Sequence, residues 1–227
     1  MNARAHAPRS AEEPRVILAL LGLLAAAGLY AFLQSPFFAL ADVRVEGWRT
    51  VPPEEVVALS GVRYGDNLLR VDMPKAAAAV ERHPRIERAA VRRSLPGTLV
   101  IGVVEYEPLL LAVSDEDAAA LAYDGTRIPV TEEEAARLPV FYGEPDAVPP
   151  ELLRVAGLLP PDIHRRVLVM EAEGGLVLRT RTGETVLLGD GENLSRKLGI
   201  AVDLLRQDRY AVIDVRFPAS PAVRPAQ

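Results

Sequence analysis

No cysteine occurs anywhere in the chain, which excludes disulfides, thiolate metal sites and cysteine nucleophiles together. Lysine is almost absent too: Lys75 and Lys197 are the only two, and the other cationic residues are arginines. Nothing in their placement demands forked guanidinium contacts throughout, so this reads as a coding bias. There is no excess of positive charge. A net charge of −5 argues against a dedicated nucleic-acid binder, which needs a clearly cationic surface to neutralise phosphates. The three histidines, His6, His83 and His164, stand far apart, and no H-E-x-x-H pattern or EF-hand-like acidic loop occurs. No metal or cofactor is therefore expected. Catalytic signatures are lacking as well. Ser60 sits in Ala-Leu-Ser-Gly-Val, without the first glycine of a nucleophile elbow. Gly189-Asp-Gly191 lacks the third glycine of a phosphate-binding turn and reads as a capping turn before a helix. The expectation is a non-enzyme with no small-molecule substrate.

What is present is apolar material. Hydrophobic residues make up 49% of 227, enough for a real core, and the length admits one large domain or two small ones beside a membrane segment. Val16 to Leu33 carries no charge. About 20 helical residues cross a hydrocarbon layer of about 30 Å, and adding Gln34–Phe38 completes a transmembrane helix over 16–38. Arg4, Arg9 and Arg15 precede the run, against Arg44 shortly after it. The positive-inside rule then makes 1–15 a cytoplasmic tail and places 34–227 outside, a single-pass type II arrangement. A cleaved signal peptide is the rival, because Ala39-Leu40-Ala41 has the small-x-small form of a cleavage site. The apolar run exceeds the ~7–15 residues of a signal h-region, which favours the tether.

Beyond the span, Val43 and Val45 alternate with charged residues as in a half-exposed strand ending at Gly47. Pro52-Pro53 opens a short helix carrying Val56, Val57 and Leu59, closed by Gly61. Asp72 is a good N-cap for a helix over Met73–Arg82, ended by His83-Pro84. Strand-like runs at Ile86–Arg93 and Thr98–Tyr106 are split by Leu95-Pro96-Gly97 as a turn. The order is β-α-α-β-β. Pro84, Ala90-Val91-Arg92, Pro96, Thr98-Leu99, Ile101, Glu105 and Pro108 stand in a pattern that resembles the POTRA (polypeptide-transport-associated) domain of the FtsQ/DivIB family of bacterial cell-division proteins.

The second half extends the resemblance. Asp124-Gly125 signals a tight turn between Leu121–Tyr123 and Ile128–Val130, and Leu138-Pro-Val-Phe-Tyr-Gly143 is similar to the family's Leu-Pro-x-x-x-Gly segment. A helix is expected over Pro150–Leu159, then a meander of Val167–Glu171, Gly175–Thr180 and Thr185–Leu188. Leu194, Leu198, Ala201, Val202 and Leu205 recur at helical spacing over Gly191–Arg206. Tyr210–Phe217 closes the pattern as a strand similar to the family's final Val-Asp-Leu-Arg-aromatic run. The expected fold is α+β: the transmembrane helix, a POTRA domain at 39–107, a mostly antiparallel β domain at 108–217 and a flexible Pro/Ala-rich tail at 218–227.

The resemblance implies a non-catalytic scaffold at the division septum of the bacterial inner membrane, linking early and late division proteins. It also implies FtsB-like and FtsL-like single-span partners, and a contact at the C-terminal strand where Asp214, Val215, Arg216 and Phe217 match the family motif. A strand in that place can lie at a sheet edge, where unpaired backbone groups accept an added strand. The alternative is a POTRA-type docking or chaperone component of secretion or envelope assembly, which would need repeated POTRA units or a C-terminal barrel. Two charge features read as ordinary surface. Arg82, Arg85, Arg88, Arg92 and Arg93 form a cationic stripe on a solvated strand face, and Thr131-Glu-Glu-Glu134 is a capping box with an acidic first turn.

Overall fold

The computed structural model describes residues 13–226, beginning with helix α1, Glu13–Leu33. Residues 1–12 of the expected tail, with Arg4 and Arg9, lie outside the described residues, and so does Gln227. Val16–Leu33 is apolar enough to cross a membrane and none of it is buried against the rest of the chain. At 1.5 Å per residue α1 is about 31 Å long. The helix does not continue to Phe38 as the sequence suggested. Pro36 has no N–H to extend the ladder, and Pro36–Phe38 forms a 3-10 turn instead. The chain then divides into two compact units at Val104–Glu105.

In the first unit β1 (Asp42–Glu46), α2 (Pro53–Ser60), α3 (Met73–Val80), β2 (Ile86–Ser94) and β3 (Thr98–Glu105) give the expected β-α-α-β-β order. The strands lie β1-β3-β2, with β1 parallel to β3 from Asp42↔Thr98 to Glu46↔Gly102. Asp72 caps α3 as expected, its Oδ1 accepting Lys75 N–H at 3.1 Å. Gly61 ends α2 in the left-handed region at φ 69°, where its missing Cβ removes the usual penalty. Val56 and Val80 from the helices meet Leu99, Ile101 and Val103 from the central strand in one buried cluster. The arginine stripe divides at this sheet. Arg92 spans to Glu46 at 3.0 Å on the exposed face. Arg93 turns the other way and donates to the backbone carbonyls of Leu68 (2.7 Å), Leu69 (3.3 Å) and Val71 (2.7 Å). The guanidinium, with its five N–H donors in a fixed fork, ties the three carbonyls of this loop together.

The second unit is built on β4 (Leu110–Val113), β5 (Ala118–Leu121), β6 (Arg127–Ile128), α4 (Glu132–Ala135), β7 (Val140–Tyr142), α5 (Pro150–Leu158), α6 (Pro161–His164), β8 (Val167–Glu171), β9 (Leu176–Thr180), β10 (Thr185–Gly189), α7 (Leu194–Leu205), β11 (Tyr210–Asp214) and β12 (Ala222–Pro225). The strands form one sheet, β12-β11-β10-β9-β8-β7-β4-β5-β6. Five of its eight pairings are antiparallel, so the sheet is mostly antiparallel as expected. The parallel pairs are β4/β7, β7/β8 and β10/β11, and a helix intervenes in each connection, because parallel neighbours need a crossover. Leu152, Leu153, Val155 and Ala156 of α5 and Leu194, Leu198, Ala201, Val202 and Leu205 of α7 bury their apolar stripes in the core with Met170, Leu178, Val186 and Ile213. The capping box forms: Thr131 Oγ1 accepts Glu134 N–H at 3.2 Å, and Glu134 Oε2 accepts Thr131 N–H at 2.9 Å.

One expectation fails. The tail after Phe217 is not loose, because Ala222–Pro225 turns back and pairs antiparallel with β11, from Asp214↔Ala222 to Tyr210↔Pro225. The backbone groups along β11 would otherwise stand open at the sheet's end, and the returning chain satisfies them.

Candidate partner-binding site

The sheet's β12 end is built on strand β11, which follows α7 and lies parallel to β10. Ile213 and Val215 point into the core and have no exposed surface. β11 ends at Asp214 rather than at Phe217, and Val215 N–H then bonds Leu187 C=O at 3.0 Å. From that point the chain turns outward. Phe217 is 74% exposed, and a Ser220 N–H to Phe217 C=O bond of 2.9 Å closes the turn leading to β12.

Asp214 and Arg216 form a local clamp. Arg216 donates from Nε at 3.0 Å and 3.1 Å to the two carboxylate oxygens, from Nη2 at 2.6 Å, and from its backbone N–H at 3.1 Å. Gly189 at the end of β10 makes room for it. Its φ is 72°, and a Cβ there would stand 3.0 Å from Arg216 Cγ, so the arginine stem crosses the strand where no side chain projects.

Of the four residues singled out from sequence, the structure pairs Asp214 with Arg216, leaves Phe217 exposed and buries Val215 in the core. Val215 can affect a partner only through packing, which corrects its place among contact residues. Sequence reasoning missed β12 itself. Ala226 N–H bonds Arg209 C=O at 3.0 Å, so by alternation the backbone groups of Ala222 and Arg224 face β11 and those of Val223 and Pro225 face away from it. Pro225 has no N–H to offer, and a proline at such a place suits only an outermost strand. That pattern, Pro221-Ala-Val-Arg-Pro225, was the available signal.

Arg216, through its side-chain hydrogen bonds first and its backbone N–H next, holds the Asp214 carboxyl below the usual carboxylate range, against the opposing effect of partial burial. A carboxyl depressed on folding stabilises the fold above its ordinary pKa and loses that contribution as pH falls through the lowered value. The Arg216→Ala variant should therefore shift the Asp214 titration upward toward the ordinary range, read from the side-chain carboxyl carbon by NMR. Any stability difference from the native chain should shrink in acid. An unmoved titration would show that Arg216 does not hold the carboxylate in solution.

Among the described residues no group of three or more His, Asp or Glu side chains stands close enough to hold a metal. The surface carries an exposed aromatic side chain, an arginine and strand backbone.

Known proteins match along most of the chain. The family model for the POTRA domain, FtsQ-type, matches residues 38–106, and that for the cell division protein FtsQ/DivIB C-terminal region matches 112–216. The chain is 28% identical over 225 residues to the cell division protein FtsQ of Streptomyces venezuelae, covering 92% of this chain and 83% of that one. It is 29% identical over 213 residues to FtsQ of Mycolicibacterium smegmatis, covering 91% and 63%. With FtsQ of Anaeromyxobacter sp. it shares 38% identity over 94 residues, covering 41% and 32%.

Proposed function

Because the chain belongs to the FtsQ/DivIB family of bacterial cell-division proteins, we infer that it is a non-catalytic, membrane-anchored scaffold linking early and late division proteins at the septum. In this reading α1 crosses the inner membrane. Arg4, Arg9 and Arg15 hold the N-terminus in the cytoplasm, and both folded units work outside. Single-span partners of the FtsB and FtsL type dock at the β11–β12 end of the large sheet. The observation that carries the reading is the turn after β11, which offers Phe217 and Arg216 to solvent beside a short outermost strand. Aromatic and arginine side chains dominate interface energetics, and a sheet end supplies backbone groups for an added strand.

The test uses the full chain in detergent micelles with an FtsB-like partner from the same cell. Phe217→Ala and Arg216→Glu should each weaken capture by about tenfold or more, as a hot-spot truncation does. Both side chains are exposed, so circular dichroism should show the native fold in each variant. Unchanged affinity in both folded variants would move the site elsewhere.

A further inference from the structure

We propose that the base of the POTRA unit is a second membrane contact, in which Phe37, Tyr64 and Leu95 sit in the headgroup layer of the bilayer that α1 crosses. The proposal rests on the reading of α1 as a membrane span. The uncharged stretch Val16–Leu33 is about 27 Å long, close to a hydrocarbon layer of about 30 Å, which sets Leu33 near its outer boundary.

Two loops are bonded to the chain at that exit. In the first, Asn67 Nδ2 donates to the carbonyl of Leu33 at 2.7 Å, capping the last turn of α1. The same loop continues the contact through Leu68 N–H to Phe38 C=O at 2.7 Å, Gly65 N–H to Leu40 C=O at 2.9 Å and Leu40 N–H to Asp66 C=O at 2.8 Å. In the second, Ala41 N–H bonds Gly97 C=O at 2.8 Å and Asp42 N–H reaches the same oxygen at 3.2 Å. A Cβ on Gly97 would stand 2.9 Å from Ala39 C=O, which shows how closely this turn lies on the exit segment.

The exit segment and these two loops carry exposed apolar side chains. Phe37 is 59% exposed, Tyr64 66% and Leu95 59%. Single exposed apolar residues are ordinary, but these three share one place. Past α1, the first unit exposes two other large apolar side chains among the described residues, Trp48 and Val104. Both lie toward the far end of the β1–β3 pair: Glu46, the last residue of β1, is about 16 Å along the strand from Ala41 at ~3.3 Å per residue, and Trp48 comes two residues after it. The charges fit a headgroup layer as well. Arg63 and Arg70 are exposed on the loop that presents Tyr64, and the carboxylate of Asp66, also exposed there, accepts the Arg63 N–H at 2.9 Å. Tyrosine and arginine are the residues that an interface holds best, each with an apolar body and a polar end. The bilayer would then fix the tilt of the unit through three points besides the helix.

The absence of cysteine makes the test direct, since single cysteines can be labelled without background. Full-length chains carrying Tyr64→Cys, Leu95→Cys, Trp48→Cys or Leu24→Cys are labelled with an environment-sensitive fluorophore. They are reconstituted in nanodiscs of phosphatidylcholine and phosphatidylglycerol, with and without lipid spin-labelled either near the headgroup, to report on 48, 64 and 95, or deep in the acyl chain, to report on 24. Labels at 64 and 95 should be blue-shifted and quenched about twofold or more by the spin label, as interfacial residues are, while the label at 48 is not. Quenching at 24 with none at 64 and 95 overturns the contact and leaves the span intact. No lipid quenching at 24 overturns both.

Discussion

Gly47→Ala should destabilise the POTRA unit by about 3 kcal/mol, combining a strained backbone with a forced overlap. Gly47 follows β1 at φ +83°, where an L side chain is strained in any surroundings. A Cβ there would also stand 2.3 Å from the backbone oxygen of Val103. No rotamer relieves that contact, because the colliding atom belongs to the central strand itself. Relief requires the far end of β1 to lift from β3, at the Glu46↔Gly102 pairing. Hydrogen exchange followed by mass spectrometry should show protection falling in β1 and β3 while the 105–226 unit keeps its own. Native protection across β1 would show that the strand end shifts at no cost.

A chain ending at Phe217 should keep the fold of the second unit and yet self-associate. All four residues of β12 are exposed, so deleting them removes no core. Ile213 and Val215 stay buried, held by β10 through the Val212↔Thr185 to Asp214↔Leu187 pairings and the Val215 N–H to Leu187 bond. The deletion opens the backbone of Tyr210–Asp214, a short apolar run that a second copy can pair. Sedimentation velocity should show a coefficient rising with concentration, against a constant value for the full chain in the same detergent. Circular dichroism should still show a cooperative melt, at a temperature lowered by about 10 °C or more, since the several lost backbone hydrogen bonds contribute about 1 kcal/mol each. Concentration-independent sedimentation of the shortened chain would mean that β12 does not guard the edge.

Most elements were legible because their signals are local. Asp72 before Pro74, Thr131 before Glu134, and the meander over 167–189 carry their capping and alternation in adjacent residues, and the structure forms all three. β4 and the start of β5 were not legible. Ala118–Ala120 has little intrinsic preference for a strand, and those residues pair because Leu110 and Leu121 are drawn into the core. Sheet order was hidden for another reason: seating β4 between β5 and β7 depends on contacts remote in sequence. The candidate site was half legible. A continuous strand to Phe217 would put Ile213, Val215 and Phe217 on one face, and two of them are there. β11 stops at Asp214, the clamp to Arg216 bends the chain, and Phe217 leaves the face that alternation assigns it. Arg93 was misread with its stripe, since composition does not tell which of two adjacent arginines faces the helices.

The parallel seating of β1 against β3 sets an order in time during synthesis. β1 is made just after the apolar helix, but its partner begins at Thr98, roughly 55 residues later, so the pairing is a late, non-local event. At a translation rate of about 5–20 residues per second, β1 waits several seconds as a lone nascent strand. Its sequence suits that interval, because Asp42, Arg44 and Glu46 line one face with alternating charge. A ribosome paused before Thr98 would therefore hold α2 and α3 with no sheet to cover, and the POTRA core would close only when β3 emerges.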